Sequence, residues 1–181
     1  MLISLIGLPG VGKSTIGRRL AQRLELDYVD CDAEVEATLN LSIRAFFEME
    51  GEARFREIES AQLVELLDRD RAVIATGGGV VLSATNRELL RRRSRCVYLH
   101  AKPAALFHRL RRDTRRPLLQ GRDPAASLAR LFEERDPLYR ETAAVEIEVG
   151  GRSLGAVVDA IVATLDEQCR PIGNDETAAP G

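Results

Sequence analysis

The segment GLPGVGKST, residues 7–15, combines glycines, a lysine and hydroxyl groups at a spacing that could bind phosphate. The pattern G-x-x-x-x-G-K-S/T is met in full by Gly7, Gly12, Lys13 and Ser14. Glycines leave backbone N–H groups accessible to an anion, and a helix that starts after them adds the positive end of its dipole. A lysine adds charge, and a serine hydroxyl at this position is a ligand for Mg²⁺. The segment therefore predicts a loop that binds the phosphates of a nucleotide.

Two aspartates, Asp30 and Asp32, flank a cysteine at the end of a predicted strand. Side chains two residues apart in an extended segment point the same way, so both carboxylates are predicted to face one cleft. One would then hold a magnesium-bound water and the other would contact an acceptor hydroxyl. Alternatively, one aspartate caps the helix that follows, because Asp favours the N-cap position. The spacing alone leaves both interpretations open.

Three consecutive glycines, Gly77, Gly78 and Gly79, follow a further apolar strand. A glycine run costs chain entropy, so either a close approach to the backbone or a positive φ is expected there. A simple turn would also explain the run. We favour a wall that faces a ligand, because the strand is expected to lie beside the phosphate loop.

Arginines are concentrated in RLRRDTRRPLLQGR, residues 109–122. A solvated charge run is the usual interpretation. Alternatively the segment is a mobile flap, in which Arg115 or Arg116 balances the growing negative charge of phosphoryl transfer and excludes water. Arg56 and Arg135 lie in predicted helices, where a solvated charge is the common outcome for arginine.

Composition limits the class of protein. With 181 residues, 45% hydrophobic and 30% charged, the chain is expected to form one globular domain. Its apolar runs are too short for a membrane span, and no secretory signal is evident, so we expect a cytoplasmic protein. A net charge of −2 does not indicate nucleic-acid binding. The widely spaced Cys31, Cys96 and Cys169 argue against disulfides and zinc.

Apolar runs of strand length alternate with helical patterns along the chain. The strands are predicted at residues 2–6, 28–30, 72–76, 95–99 and 145–149. Helical stripes are predicted through Ile16, Leu20 and Leu24, through Ile58, Ala61, Leu63 and Leu67, and through Leu154, Val157, Val158, Ile161, Val162 and Leu165. This alternation predicts an α/β fold, a five-stranded, mostly parallel sheet flanked by helices.

Within this fold we expect a single domain over residues 1–168. Residues 32–60 are predicted to form a helical arm, and residues 112–124 a mobile lid. Residues 169–181 have little to bury and are predicted to be a disordered tail.

Six motifs in order give the sequence a specific resemblance. They are GLPGVGKST, DCD, FREIE, TGGG, RRPLL and RDPLYRE. The ordered set resembles the shikimate kinase family, a P-loop family of the nucleoside-monophosphate-kinase-like group, from Leu2 to about Leu165. The resemblance implies ATP-dependent phosphorylation of shikimate to shikimate 3-phosphate in aromatic amino-acid biosynthesis, with Mg²⁺, by a monomer.

The resemblance also implies roles for individual residues. The positions that match the ATP site are Gly10, Val11, Gly12, Lys13, Ser14, Thr15, Arg109, Arg116 and Arg152. Ser14 and Asp30 match the Mg²⁺ site, with Asp30 acting through water. The positions that match the shikimate site are Asp32, Arg56, Gly77, Gly78, Gly79 and Arg135. Lys13, Asp32 and Arg116 match the catalytic positions.

Two positions depart from the family pattern. Cys31 stands where a small hydroxyl residue is more usual, and Leu154 stands where some members have proline near the adenine. Two alternative functions are a gluconate-type or other small-molecule kinase on the same scaffold, and a nucleotide-dependent switch without transfer activity.

Overall fold

The computed structural model describes residues 1–110 and 123–169 of the chain. Five strands form one sheet in the order β2-β3-β1-β4-β5. The strands are β1 Leu2–Ile6, β2 Asp27–Asp30, β3 Ala72–Ala75, β4 Arg95–His100 and β5 Val145–Glu148. Every neighbouring pair is parallel. The predicted five-stranded parallel sheet is confirmed, with each strand within one residue of its predicted ends.

Seven helices and one 3₁₀ turn accompany the sheet in the described ranges. They are α1 Lys13–Leu24, α2 Cys31–Leu39, α3 Ile43–Leu67, α4 Ala84–Arg93, α5 Pro103–Leu110, α6 Pro124–Thr142 and α7 Leu154–Cys169, with the 3₁₀ turn at Val80–Leu82. Helix α1 packs against α7, while α4 contacts α3 and α6. Of these helices, not one combines the length and apolarity that crossing a bilayer requires.

The core explains why the strands are continuous apolar runs. All five residues of β1 and all four of β3 are buried, as expected for parallel strands covered on both faces. The predicted helical stripes are largely buried, but Ala61 and Leu154 are exposed. Leu154 is the first residue of α7.

The segment between β2 and β3 is helical, as predicted, and is formed by α2 and α3. It has a small core of its own, in which Val35, Phe46 and Phe55 are buried and Phe47 packs against them. These phenylalanines are therefore core residues of the segment formed by α2 and α3. Helix α3 is interrupted at Gly51, whose φ of 79° is left-handed.

The topology brings three polar segments to one edge of the sheet. The five strands point the same way, so the loops after β1, β2 and β3 all leave from their carboxyl ends. Thr76, directly after β3, donates from both its backbone nitrogen and its Oγ1 to the carbonyl of Leu5 in β1. The phosphate loop and the glycine run are thus tied together at their bases.

Candidate active site

The loop from β1 to α1 has a backbone that only glycine adopts readily. Gly7, Gly10 and Gly12 have φ of 144°, 82° and 103°. A side chain on Gly7 would also place its Cβ 2.7 Å from the carbonyl oxygen of Leu99. The glycine spacing found in the sequence is thus imposed by the conformation of the loop, and its N–H groups are left without covering side chains.

Lys13 is buried at the start of α1, with 7% of its surface exposed. Its Nζ donates to the carbonyl oxygens of Gly7 at 2.7 Å and Leu8 at 3.1 Å. The ammonium group is therefore held over the loop by loop carbonyls, at the position where a phosphate group would add its own negative charge.

Ser14, in the first turn of α1, meets Asp30 at the end of β2. The Oγ of Ser14 donates to Oδ2 of Asp30 at 2.8 Å, and the hydroxyl of Tyr28 donates to the same oxygen at 2.9 Å. Asp30 occupies the N-cap position of α2, but its side chain makes no capping hydrogen bond. The capping interpretation is therefore wrong for Asp30, whose carboxylate turns towards the phosphate loop.

Tyr28 was not among the predicted site residues. Burial, and then the neighbouring charge of Asp30, raise the pKa of Tyr28 to about 12, so its hydroxyl stays a hydrogen-bond donor. A signal was present in the sequence, because Tyr28 lies two residues before Asp30 and thus on the same face of β2.

Asp32 reaches the site from a helix. The expectation that Asp30 and Asp32 share an extended segment is wrong, because β2 ends at Asp30 and α2 begins at Cys31. Asp32 in the first turn of α2 instead approaches the glycine run. A Cβ on Gly77 would lie 2.8 Å from Oδ1 of Asp32. The two aspartates therefore contact different parts of the cleft.

The three glycines are needed because other groups approach them closely. None of them, within the described segment 77–79, has the positive φ that would alone require glycine. A Cβ on Gly78 would lie 3.1 Å from Cδ of Pro9 in the phosphate loop. A Cβ on Gly79 would overlap the guanidinium of Arg56. The glycine run is thus a wall shared by the phosphate loop and an arginine.

Arg56 is anchored by two glutamates on its own helix. Its Nη1 donates to Oε2 of Glu59 at 2.7 Å, and its Nη2 donates to Oε1 of Glu52 at 2.8 Å. Glu59 is 1% exposed. Burial raises the pKa of Glu59 above its ordinary value and Asp32 adds to this, although Arg56 and Arg135 act in the opposite direction. The carboxylate of Glu59 therefore lies among most of the charged groups of the cleft.

Glu59 was also missed as a candidate site residue. It is the last residue of FREIE, three positions after Arg56, a spacing that places two side chains on the same helix face. That spacing was a usable signal, but it is common among solvated ion pairs on exposed helices.

Arg135 lies on α6 and is not a solvated helix charge. Its side chain is 5% exposed, whereas Arg54 and Arg140, which composition alone could not distinguish from it, are 61% and 45% exposed. Its Nη1 donates to the carbonyl oxygen of Gly78 at 3.1 Å. Its Nε is buried and has no acceptor among residues 1–110 and 123–169. Burying a charged group with an unused donor costs free energy. Such a donor is typical of a group that binds a ligand.

A cavity of about 300 Å³ adjoins the phosphate loop on the side of β5 and α7. Its lining residues are Gly10, Val11, Gly12, Thr15, Ile16, Val149, Arg152, Leu154 and Val157. The structure therefore brings Arg152 and Leu154 to the phosphate loop. Arg115, Arg116 and residues 112–122 of the predicted lid lie outside the described residues, as does the side chain of Arg109. The last two residues of the predicted lid, Asp123 and Pro124, are instead the N-cap and the first residue of α6.

One histidine and two cysteines can be placed outside this chemistry. His100 is buried, and its Nδ1 is hydrogen-bonded to Oε2 of Glu148. Cys31 and Cys96 are buried free thiols, and burial raises the pKa of both. Across the described ranges, no cluster of three or more acidic, histidine or cysteine side chains could hold a metal by itself. The side chain of His108 lies outside the described residues.

Comparison with known proteins identifies the family. The family model described as shikimate kinase matches residues 9–166. A shikimate kinase of Halorhodospira halophila is 48% identical over 92% of this chain and 94% of its own length. A shikimate kinase of Burkholderia pseudomallei is 46% identical over 91% of this chain and 89% of its own length.

A solved structure agrees with these sequence matches. The shikimate kinase of Acinetobacter baumannii in complex with shikimate superposes with a TM-score of 0.91 and 39% identity, covering 94% of this chain and 95% of that one. The chain belongs to the shikimate kinase family.

Proposed function

We propose that the protein is a shikimate kinase, which transfers the γ-phosphoryl group of ATP to a ring hydroxyl of shikimate and releases shikimate 3-phosphate and ADP. One structural observation carries the proposal. The phosphate loop reaches the glycine wall through Pro9 against Gly78, and Arg56 and Arg135 reach the same wall at Gly79 and Gly78. An anion-binding loop and two guanidinium groups therefore share one cleft. The Acinetobacter baumannii relative was solved in complex with shikimate.

The nucleotide occupies the phosphate loop and the adjoining cavity in this proposal. The N–H groups of residues 10–15 and the ammonium of Lys13 bind the phosphates. Arg152 and Leu154, which line the cavity beside Gly10 and Thr15, contact the adenine end. Arg109 and Arg116 are proposed ATP contacts on the strength of the resemblance alone.

The residues present fit a Mg²⁺ ion. Mg²⁺ prefers oxygen ligands and is usually held by one or two protein groups together with phosphates and water, rather than by an all-protein cage. The Ser14 hydroxyl and the Asp30 carboxylate are 2.8 Å apart beside the loop. They would hold the ion, Asp30 through water, and the bound ion would neutralise charge on the phosphates.

The acid substrate occupies the opposite side of the cleft. A planar guanidinium matches a carboxylate with two parallel hydrogen bonds, so Arg56 and Arg135 are suited to grip the carboxylate of shikimate. The unused Nε of Arg135 supplies one of the donors. Asp32, beside Gly77, orients the acceptor hydroxyl and accepts its proton as the new P–O bond forms.

Catalysis on this arrangement is mainly placement and charge stabilisation. Phosphoryl transfer needs the incoming oxygen aligned with the phosphorus, while negative charge on the transferred group is balanced. Lys13 and Arg116 are proposed to balance that charge, and Asp32 is proposed to align the incoming oxygen.

An ADP-release assay with ATP and Mg²⁺ tests the proposal against its alternatives. We expect rapid turnover with shikimate and none with gluconate or other hydroxy acids that lack the ring. Preferential turnover of gluconate would overturn the assignment in favour of a gluconate-type kinase. Tight ATP binding without turnover of any acid would instead indicate a nucleotide switch.

We also propose that the protein acts as a monomer in the cytoplasm and as one domain over residues 1–168. The size and the family resemblance support the monomer. Size-exclusion chromatography with light scattering would measure the mass directly, and a value near twice 20.0 kDa would contradict it.

A further inference from the structure

The carbonyl oxygen of Gly78 accepts two hydrogen bonds from one helix. The hydroxyl of Tyr139 donates to it at 2.5 Å, and Nη1 of Arg135 donates to it at 3.1 Å. Tyr139 and Arg135 are four residues apart on α6, so they are adjacent on one face of the helix. The glycine wall is thus fastened to α6 at a single carbonyl group by two side chains.

Tyr139 is held rigidly by its surroundings. The residue is 0% exposed, and its ring stacks on that of Tyr98 with centroids 5.0 Å apart. Burial raises the pKa of Tyr139 well above its ordinary value, so the hydroxyl remains protonated and acts as a donor. A fixed ring therefore presents a permanent donor to Gly78.

This contact sets the direction of the next N–H group. In a trans peptide the carbonyl oxygen and the following N–H point in opposite directions, and the described chain contains no cis peptide bond. Holding the Gly78 carbonyl towards α6 therefore directs the N–H of Gly79 away from α6. In the two described ranges, no backbone carbonyl accepts a hydrogen bond from that N–H. Gly79 is itself buried, so an N–H that no backbone carbonyl engages there can be offered to a ligand.

The second donor to the Gly78 carbonyl oxygen is important because Arg135, the first donor, is also expected to bind the substrate. Arg135 is proposed to grip the substrate carboxylate, and a guanidinium that turns towards a ligand weakens its existing contacts. Glycines provide no side chain that would restrain the backbone at residues 78 and 79. The hydrogen bond from Tyr139 would keep the peptide in place while Arg135 engages the substrate.

We propose that Tyr139 is a positioning residue for the acid substrate. Through its hydrogen bond to the Gly78 carbonyl it orients the peptide between Gly78 and Gly79, and with it the N–H of Gly79 that the substrate would meet. The inference rests on the proposed function, because it assumes that shikimate binds at this wall.

The test is Tyr139→Phe, which removes the hydroxyl and keeps the stacked ring. The loss of one hydrogen bond is expected to raise KM for shikimate about threefold to tenfold. KM for ATP is expected to stay at the value of the unmodified protein, because the phosphate loop is untouched.

Tyr98→Phe is the matched control. It removes the hydroxyl of the other ring in the same stack, which donates to Oδ1 of Asp136 at 2.8 Å and not to the glycine wall. We expect no change in KM for shikimate in this variant. An equal rise in both variants would overturn the inference, since the effect would then come from packing.

Two further outcomes separate the inference from the function on which it rests. If the unmodified protein uses shikimate and Tyr139→Phe leaves KM for shikimate unchanged, or raises both KM values alike, the positioning role is wrong and the proposed function stands. If the unmodified protein does not phosphorylate shikimate, the proposed function is overturned and the inference with it.

Discussion

The guanidinium of Arg56 is fixed by the buried carboxylate of Glu59, with 2.7 Å between Nη1 and Oε2. Glu59 is 1% exposed and cannot follow the arginine into solvent, so the pair holds the guanidinium against the glycine wall before any substrate arrives. An arginine oriented in this way loses little side-chain entropy when a carboxylate binds.

The first prediction concerns the shape of that cation. Arg56→Lys keeps the charge but cannot donate two parallel hydrogen bonds, so we expect kcat/KM for shikimate to fall about tenfold to a hundredfold while KM for ATP is unchanged. Steady-state kinetics with each substrate varied in turn would measure this. Arg54→Lys is the matched control, because Arg54 is two residues away and its side chain is 61% exposed. Equal losses in the two variants would contradict a specific role for Arg56.

The second prediction tests Asp32 as the group that receives the proton. Asp32→Asn preserves the size of the side chain and removes its basicity, so kcat is expected to fall about a hundredfold or more. ATP affinity, measured by calorimetry, is expected to be unchanged. Asp27→Asn, at the exposed start of β2, serves as the control and should retain full activity. Near-normal turnover of Asp32→Asn would remove Asp32 from the reaction.

The third prediction follows from the close approach of Arg56 to the glycine wall. In Gly79→Ala the new methyl group would overlap the guanidinium, which must move because a flexible side chain yields before the backbone does. We expect KM for shikimate to rise about tenfold, comparable to the loss of one charge-assisted hydrogen bond. Gly155→Ala is the control, since its methyl group would meet nothing within 4 Å. An unchanged KM for shikimate in Gly79→Ala would show that Arg56 does not bind from this position.

The fourth prediction concerns the proposed magnesium site. Ser14→Ala removes the hydroxyl that donates to Asp30 at 2.8 Å, so the concentration of Mg²⁺ needed for half-maximal activity is expected to rise at least tenfold. A titration of Mg²⁺ at saturating ATP would measure it. Thr164→Ala removes a helix hydroxyl that donates to the carbonyl of Ala160, and should leave the titration unchanged. A titration of Ser14→Ala that matches the unmodified protein would argue against this site.

The fold was predictable because its signals are local. The strands of a parallel sheet are buried on both faces, so β1 and β3 are visible as short apolar runs, and the glycines of the phosphate loop are visible as a spacing. The site was only partly predictable. Arg56 and Arg54 occupy the same helix and have similar neighbours in sequence, and only the packing of α3 leaves the Arg56 side chain 22% exposed and that of Arg54 61% exposed.

Some of the residues that were missed depend on contacts with distant parts of the chain. Tyr139 contacts Gly78 across 61 positions, which no periodicity reports. Glu59 stands at an ordinary helical spacing from Arg56, and its surroundings include Asp32 of α2, Gly77 after β3 and Arg135 of α6. The direction of Asp32 was misjudged because the start of α2 depends on where β2 leaves the sheet.

The fifth prediction concerns the pH dependence of stability, which is expected to have opposite signs for Glu59 and Glu148. Burial raises the pKa of Glu59 in the folded protein above the value of 4.5 that it has in an unfolded chain. The folded state then binds the proton more tightly, so the stabilising contribution of Glu59 is complete below that ordinary value and declines as pH rises through the raised pKa. The free energy of unfolding of the unmodified protein, minus that of Glu59→Gln, should therefore fall with rising pH.

Glu148 is expected to show the opposite dependence on pH. Although burial acts to raise it, hydrogen bonds from His100 and from the N–H of Gly150 lower the pKa of Glu148 in the folded protein. Its stabilising contribution is present above the ordinary value and is lost as pH falls through the lowered pKa. The free energy of unfolding of the unmodified protein, minus that of Glu148→Gln, should therefore grow with rising pH. Urea unfolding of the unmodified protein and both variants between about pH 3 and pH 8 would measure how each difference in unfolding free energy changes with pH. Two differences that change in the same direction would contradict the pKa direction given for one of the two glutamates.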